Sequence, residues 1–117
     1  MSPALNDLKA VSELGAEHDS ARVTGQPCDI TDPEQLDALW SAATEAFGSV
    51  DVWINNAGVS APRAKLWEQP LADIHAVLDT NLLGTVLGVR TAISGILAQP
   101  NLRWAGCLSP LGSSRRL

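Results

Sequence analysis

The sequence predicts an α/β domain built on a parallel sheet. Helical and strand-like segments alternate along the chain, which is the usual order of elements in this class. The strand-like segment 51–54 (DVWI) is mostly apolar without strict alternation, as expected for a strand whose sheet is covered on both faces. The length of 117 residues and the apolar content of 45% allow one hydrophobic core.

The first predicted helix spans residues 2–14. Ser2 can serve as its N-cap, and Pro3 suits the first helical position. Leucines then recur on one face, as in an amphipathic helix. Gly15 is expected to end this helix, because glycine is the usual residue just beyond a helix C-terminus.

A predicted strand and a clearly bounded helix come next. Residues 21–30 (ARVTGQPCDI) are predicted to form a short strand that runs into a turn. Asp32 is the expected N-cap of the following helix, with Pro33 at its first position and Gln35 completing a capping box. Gly48 is expected to end that helix.

The rest of the chain gives one more strand and one long helical stretch. The strand at 51–54 ends in the letters NNAG, and a loop over 59–69 follows. Apolar residues at helical spacing then predict a helix from Leu71 to about Leu97, interrupted by a break. The domain is therefore expected to cover residues 1–100, followed by an unstructured tail.

Charge and cysteine content exclude several classes of function. All thirteen acidic residues lie in residues 1–100, so this region gives no reason to expect nucleic acid or a membrane as partner. The tail, residues 101–117, holds three arginines and no acid, too few for a phosphate-binding site. Cys28 and Cys107 form neither a disulfide framework nor a metal-binding pattern and are expected to be reduced thiols of a cytoplasmic protein. No secretory signal or membrane-spanning apolar run is recognised.

Three polar residues are candidates for a site at one edge of the sheet. Asp29 ends the first predicted strand and Asn55 follows the second, and ligands of parallel sheets bind beyond the carboxyl ends of the strands. Asn81 falls on the apolar face of its helix, where an unpaired amide would be costly. Alternatively, Asp29 and Asn55 are plain turn residues and Asn81 is a satisfied structural amide.

Three motifs together resemble the classical short-chain dehydrogenases/reductases. They are CDITD at 28–32, DVWINNAG at 51–58 and TNLLG at 80–84, and the resemblance covers about residues 4–99. WINNAG is also similar to the chlorophyll b reductase-like branch of that family. The resemblance implies a Rossmann-type, doubly wound parallel sheet, a bound NAD or NADP, and hydride exchange with a small-molecule carbonyl or alcohol substrate.

The resemblance also implies roles for particular residues. Asn81 matches the catalytic asparagine of the family, which holds a water of a proton relay at a helix distortion. No metal site is implied. The implied cofactor-binding residues are Asp29, Ile30, Asn55, Ala57 and Gly58, the last two because their small size lets a flat ligand approach the backbone.

Several parts of the family pattern are absent from this sequence. It has no glycine-rich T-G-x-x-x-G-x-G turn, no tyrosine, and lysines only at Lys9 and Lys65, outside any matching position. We therefore expect a partial Rossmann-type domain that lacks the first two strands and the C-terminal half. Such a fragment is expected to be inactive alone and a poor binder of NAD(P). The tail is hypothesised to be out-of-frame or alternatively spliced sequence.

The missing strands have a consequence for folding. In the usual strand order 3-2-1-4-5, the two predicted strands correspond to the third and the fourth, which are not neighbours. They either pair directly or both keep open edges, and both outcomes predict low stability, swapping or aggregation.

Two alternatives to an inactive fragment stay open. One is a non-catalytic interaction module that forms a homo-oligomer or associates with a full-length homologue. Its contact would use the small residues Gly84, Gly88 and Thr91, which otherwise pack the helix onto the sheet. The other is that a separate chain supplies the missing glycine turn and tyrosine.

Overall fold

A computed structural model describes residues 4–18, 23–100 and 106–108. The described part is mostly helical and contains a short parallel sheet. Its longest helical run is continuous over residues 71–98. The elements in chain order are α1 (Ala4–Glu17), α2 (Pro33–Phe47), β1 (Val52–Ile54), a 3-10 turn (Leu66–Glu68), α3 (Leu71–Val77), a π-helical turn (Leu78–Gly84), α4 (Thr85–Ala98) and β2 (Gly106–Leu108).

The sheet consists of β1 and β2, which run parallel with Val52 opposite Gly106. The amide of Gly106 donates to the carbonyl of Asp51 at 2.9 Å. The expectation that the tail contains no strand is therefore wrong at Gly106–Leu108. Strand β1 offers this three-residue segment a row of backbone partners, which the tail sequence by itself does not reveal.

One side chain joins the end of α4 to the start of β1. The Gln99 amide accepts from the Val50 backbone N–H at 2.7 Å and donates to the Val50 carbonyl at 3.1 Å. This pair of bonds satisfies both backbone groups of Val50 just before the strand begins. It also fixes the C-terminus of α4 beside β1.

The prediction of a strand over 21–30 is wrong for the described residues. Residues 23–29 form no strand, and 21–22 lie outside the described part of the chain. A strand needs a neighbour, and β1 pairs with β2 instead. The segment is anchored through side chains, because the buried Cys28 packs with Leu36 of α2.

Helix α2 begins and ends where its sequence predicts. The carboxylate of Asp32 accepts from the Glu34 N–H at 2.9 Å, and Gly48 follows the helix with φ +83°. The Gln35 amide donates to Asp32 at 2.9 Å and lowers the pKa of that carboxyl, with the backbone amides adding to the effect. The capping box is nevertheless incomplete, since the Gln35 oxygen accepts from the Asp29 N–H at 2.8 Å instead.

Helix α1 is longer than predicted at its C-terminus. It continues through Gly15 to Glu17, and the His18 amide still donates to the Leu14 carbonyl at 2.9 Å. Gly15 does not adopt a positive φ, so nothing there terminates the helix. The predicted cap at Ser2 and Pro3 lies outside the described residues.

Three glycines of the π-helical turn and α4 lie against side chains from other parts of the chain. A Cβ at Gly84 would overlap the Ile30 side chain, one at Gly88 would overlap the Asn55 amide, and one at Gly95 would overlap the Trp40 indole. Trp40 in turn lies 6.0 Å from Trp53 of β1, measured between ring centroids. These glycines therefore let the helix approach the sheet and α2 closely.

The helix face that carries Gly84, Gly88 and Thr91 bears on the alternative of an interaction module. Thr91 is buried and donates to the Asp37 carboxylate of α2 at 3.2 Å. Because Gly84 and Gly88 are also buried within the chain, the small-residue face packs inward. The expectation that these three residues form a partner contact does not hold for this structure.

The helical run Leu71–Ala98 is long and apolar enough to cross a membrane, judged by its 28 residues and mean hydropathy of 1.4. From the sequence, no uninterrupted apolar run of this length is expected. A third of its most apolar window is buried, and α4 packs against α2 and β2. It also carries Asp73, Asp79 and Arg90. We interpret it as the central helix of the α/β layer, because core helices share this composition.

The packing of Gly95 gives a direct test of the fold. Replacing Gly95 by Ala is expected to lower the free energy of unfolding by about 1–3 kcal/mol, because the new methyl group displaces the Trp40 indole. Urea denaturation followed by tryptophan fluorescence measures the change.

The matched control is Gly15→Ala, also a helical glycine, where nothing lies within 4 Å of the added Cβ. This substitution is expected to be neutral or to stabilise the chain by about 0.5–1 kcal/mol. Equal stability of the two variants would contradict the described packing of α4 on α2.

Candidate functional site

Two cavities border the segment that precedes α2. The first, called here the acidic cavity, has a volume of about 350 Å³ and is lined by Asp29, Ile30, Val59–Ala61 and the exposed start of the long helical run. The second, called here the strand groove, has a volume of about 520 Å³ and lies between Gly25–Ile30 and β1 with the NNAG turn. Ile30 lines both cavities, so they adjoin.

Asp29 is held in a turn at the acidic cavity. Its Oδ1 accepts from the Thr31 N–H at 2.9 Å and from the Thr31 hydroxyl at 2.7 Å. Its carbonyl accepts from the Asp32 amide at 3.0 Å. Asp29 therefore does act as a turn residue, and the same bonds hold its carboxylate at the cavity wall. Sequence reasoning missed Thr31 and Gln35 as the residues that position Asp29, although Asp followed two residues later by Thr is a recognisable turn signal.

Asn81 lies within the π-helical turn and bonds to the loop after NNAG. Its amide nitrogen donates to the Val59 carbonyl at 2.8 Å, and its Oδ1 accepts from the Val59 N–H at 2.8 Å. The Thr85 hydroxyl donates to the Asn81 carbonyl, also at 2.8 Å. The helical run is not broken here as expected but widens into a π-helical turn, and turns of this kind are frequent at functional sites. Thr85 was missed, although a threonine four residues after Asn81 is the usual partner for a helix carbonyl.

Asn55 and Gly58 both make contacts within the chain. The Asn55 Oδ1 accepts from the Trp53 indole N–H at 2.9 Å and lies against Gly88. A Cβ at Gly58 would lie 3.3 Å from the Asn81 Oδ1, which is tight. The Asn81 amide therefore gives Gly58 a packing reason to be small, and the expected role of Gly58 beside a ligand stays a prediction.

The structure places the predicted site residues in one region but not in one cavity. Asp29 and Ile30 line the acidic cavity, whereas Asn55, Ala57 and Gly58 line the strand groove. Asn81 lines neither, and it lies between them through its bonds to Val59. Their functional roles stay predictions.

The charges around the acidic cavity suit one half of a dinucleotide. Asp29, Asp73 and Asp79 line it, and carboxylates accept hydrogen bonds from amines and hydroxyls. Ile30 and Val59 supply apolar surface beside them. Among the residues that the structure describes, no lysine or arginine lines either cavity. These residues fit an adenosine group and do not fit a diphosphate.

Comparison with known proteins places these features in a family. Residues 3–101 match the sequence profile described as short chain dehydrogenase. A probable chloroplastic chlorophyll(ide) b reductase of Arabidopsis thaliana is 38% identical over 73 residues. A 1-deoxy-11-beta-hydroxypentalenate dehydrogenase of Streptomyces arenae is 38% identical over 90 residues. A short-chain dehydrogenase/reductase of Burkholderia phymatum, solved in complex with NAD, is 36% identical, with a TM-score of 0.70 over 80% of this chain.

The chain spans a third or less of each of these relatives. The matched part is 15% of the Arabidopsis protein, for which 62% of this chain aligns, and 31% of the Streptomyces protein, for which 76% aligns. It is 32% of the Burkholderia chain. The expectation of a partial Rossmann-type domain is confirmed by this coverage together with the fold.

The double bond between Asn81 and Val59 can be tested by substitution. Asn81→Ala is expected to destabilise the chain by about 1–3 kcal/mol, because it leaves both backbone groups of Val59 without this partner. Urea denaturation at pH 7 measures the loss.

Asn81→Asp separates the two bonds. At pH 7 the carboxylate still accepts from the Val59 N–H but repels the Val59 carbonyl, so the variant is expected to be less stable than the wild type. At pH 4 a protonated carboxyl can donate again, and the gap between variant and wild type is expected to narrow. A gap that is the same at both pH values would contradict the described geometry.

Proposed function

Because this chain belongs to the short-chain dehydrogenase family, we propose that it forms the adenosine side of an NAD(P) site in an oxidoreductase. That enzyme would transfer hydride between the nicotinamide cofactor and a small-molecule alcohol or carbonyl compound. The solved relative from Burkholderia phymatum was obtained in complex with NAD, which supports this class of cofactor. In this proposal the chain supplies residues that border the cofactor, but it does not supply all the groups that the reaction requires.

One observation carries the proposal, and it is the bridge between Asn81 and Val59. Its two bonds hold the loop after NNAG against the π-helical turn. Val59 and Thr80 then line the acidic cavity opposite Asp29 and Ile30. A chain that used Asn81 only for helix packing would not need an amide aimed at a loop that borders a cavity.

The acidic cavity supplies what an adenosine group requires. In the proposed arrangement Asp29 accepts from the exocyclic amine of adenine, and Ile30 and Val59 contact the flat ring. Asp73 and Asp79 face ribose hydroxyls. Asn55 and Ala57 border the path from the adenosine toward the nicotinamide, and Asn81 holds the water of the proton relay that the family resemblance implies. When bound, the cofactor would supply or accept the hydride.

We propose further that this chain is inactive alone. None of its 117 residues is a tyrosine, so it has no phenol to act as the proton donor of the family. Its two lysines pair with glutamates at exposed positions, Lys9 with Glu13 at 3.7 Å and Lys65 with Glu68 at 3.3 Å. Neither is placed near the acidic cavity. A cytoplasmic location is part of the proposal, since the two cysteines of the sequence lie far apart and form no disulfide framework.

One observation favours a second function, a module that associates with a full-length homologue. The outward face of the long helical run carries an exposed apolar stripe formed by Leu78, Leu82, Val86 and Leu97, which are 51–62% exposed. Co-purification with the Burkholderia relative, abolished by Val86→Glu, is expected if this stripe is used. A chain that stays monomeric at high concentration and captures no relative would reject this function.

A chimera tests the proposed cofactor role. Residues 4–100 of this chain replace the matching third of the Burkholderia phymatum protein, and NADH binding is followed by its fluorescence. The chimera is expected to bind NADH with a Kd within about tenfold of the parent. Asp29→Ala in the chimera is expected to raise the Kd by about tenfold, because one hydrogen bond to a charged group is lost.

The matched control is Glu45→Ala, which removes an exposed carboxylate of α2 that lines neither cavity. This variant is expected to leave the Kd unchanged. A chimera that folds by circular dichroism but binds no NADH would contradict the proposal, and so would equal effects of the two substitutions.

A further inference from the structure

A closed ring of hydrogen bonds joins the start of α2 to the turn that contains Asp29. The Asp29 N–H donates to the Gln35 Oε1 at 2.8 Å, and the Gln35 Nε2 donates to the Asp32 Oδ2 at 2.9 Å. The Asp32 N–H donates to the Asp29 carbonyl at 3.0 Å, which closes the ring. Both backbone groups of Asp29 are therefore held by residues at the N-terminus of a helix.

The position between these two partners suits an amide. The Asp29 N–H only donates, whereas the ionised Asp32 carboxylate only accepts, and the Gln35 side chain offers the matching group to each. The Asp32 Oδ1 accepts from the Glu34 N–H at 2.9 Å as the cap of α2, so Oδ2 is the oxygen that remains for Gln35. The helix cap thus fixes which way the Gln35 amide points.

The turn leaves one carboxylate oxygen of Asp29 for a ligand. Its Oδ1 accepts from both the N–H and the hydroxyl of Thr31, whereas no residue in the described part of the chain donates to its Oδ2. Asp29 lines the acidic cavity, but Gln35 and Asp32 line neither cavity. Gln35 therefore acts on a ligand of the acidic cavity only through Asp29.

We propose that Gln35 is a positioning residue that gives the acidic cavity its preference for a purine with an amino group at C6. A carboxylate accepts from an amino group and repels a carbonyl oxygen, so a fixed Asp29 favours adenine over hypoxanthine. An Asp29 that could turn would move away from the carbonyl oxygen, and the preference would fall. This inference rests on the proposed function, which supplies the contact between Asp29 and the exocyclic amine.

The test compares two cofactors in the chimera with the Burkholderia phymatum protein. NADH carries adenine, whereas its deamino analogue carries hypoxanthine, and the fluorescence of the reduced nicotinamide reports the binding of both. The chimera is expected to bind NADH at least about tenfold more tightly than the analogue, because repulsion replaces a hydrogen bond to a charged group. Gln35→Ala is expected to reduce this preference to less than about threefold, because Asp29 is no longer held.

The matched control is Glu34→Ala, which changes the same helical turn at an exposed position that lines neither cavity. It is expected to leave the preference unchanged. Asp32→Ser provides a second variant, since serine still caps a helix but offers Gln35 no second carboxylate oxygen. It is expected to lower the preference too. Combining it with Gln35→Ala is expected to add nothing further, because Asp32 acts through Gln35.

Amide hydrogen exchange in the full 117-residue chain tests the same ring without a cofactor. The Asp29 amide of Gln35→Ala is expected to exchange at least about tenfold faster than that of the wild type, because its acceptor is removed. In Glu34→Ala its exchange is expected to stay as in the wild type. An Asp29 amide that exchanges equally in all three chains would overturn the inference.

The ratio of the two dissociation constants distinguishes positioning from a purely structural role. A structural role would weaken both cofactors by the same factor, so an unchanged ratio in Gln35→Ala would overturn the inference and leave the cofactor role intact. A folded chimera that binds neither cofactor would instead contradict the proposed function, and the inference with it. If Gln35→Ala does not fold in the chimera, the ratio measured for Asp32→Ser decides between the two roles.

Discussion

The structure depends on the pairing of the Asn81 side chain with the backbone of Val59. Both bonds are 2.8 Å long, and the two ends of the one amide group accept from the Val59 N–H and donate to the Val59 carbonyl. This pairing ties the loop after the NNAG turn to the π-helical turn. It places the Asn81 Oδ1 3.3 Å from where a Cβ at position 58 would lie, and it holds Val59 at the wall of the acidic cavity that Asp29 also lines.

The two faces of the long helical run have different surroundings. The inward face carries Gly84, Gly88 and Gly95, whose missing side chains admit Ile30, Asn55 and Trp40. The outward face keeps several large apolar residues exposed. Close approach on one side thus positions the site, while the other side leaves apolar surface available to a partner.

Local signals in the sequence predicted helix α2 and the motifs by which the chain resembles its family. The ends of this helix are marked by residues that act within one turn of each end, namely Asp32, Pro33 and Gly48. Short-range chemistry therefore suffices to predict both ends. The motifs with Asn55 and Asn81 were recognisable for the same reason. The roles of Thr31 and Thr85 are equally local and could have been found from their spacing to Asp29 and Asn81.

Non-local features could not be predicted in this way. Whether residues 23–29 form a strand depends on a neighbour far away in sequence, and so does strand β2. The reason for glycine at position 58 depends on Asn81, which is 23 residues further along the chain. Gly15 shows that a local signal can also mislead. Glycine is expected to end a helix where its backbone takes a positive φ, and Gly15 does not take one.

Amide hydrogen exchange at Val59 tests the central pairing most directly. The Ser60 amide, in the same loop, is the internal reference, because it donates no hydrogen bond to another residue that the structure describes. The account predicts that the Val59 amide of the wild-type chain exchanges at least about tenfold more slowly than the Ser60 amide, after correction for intrinsic rates, and that Asn81→Ala removes the difference. Equal exchange of the two amides in the wild-type chain would contradict it.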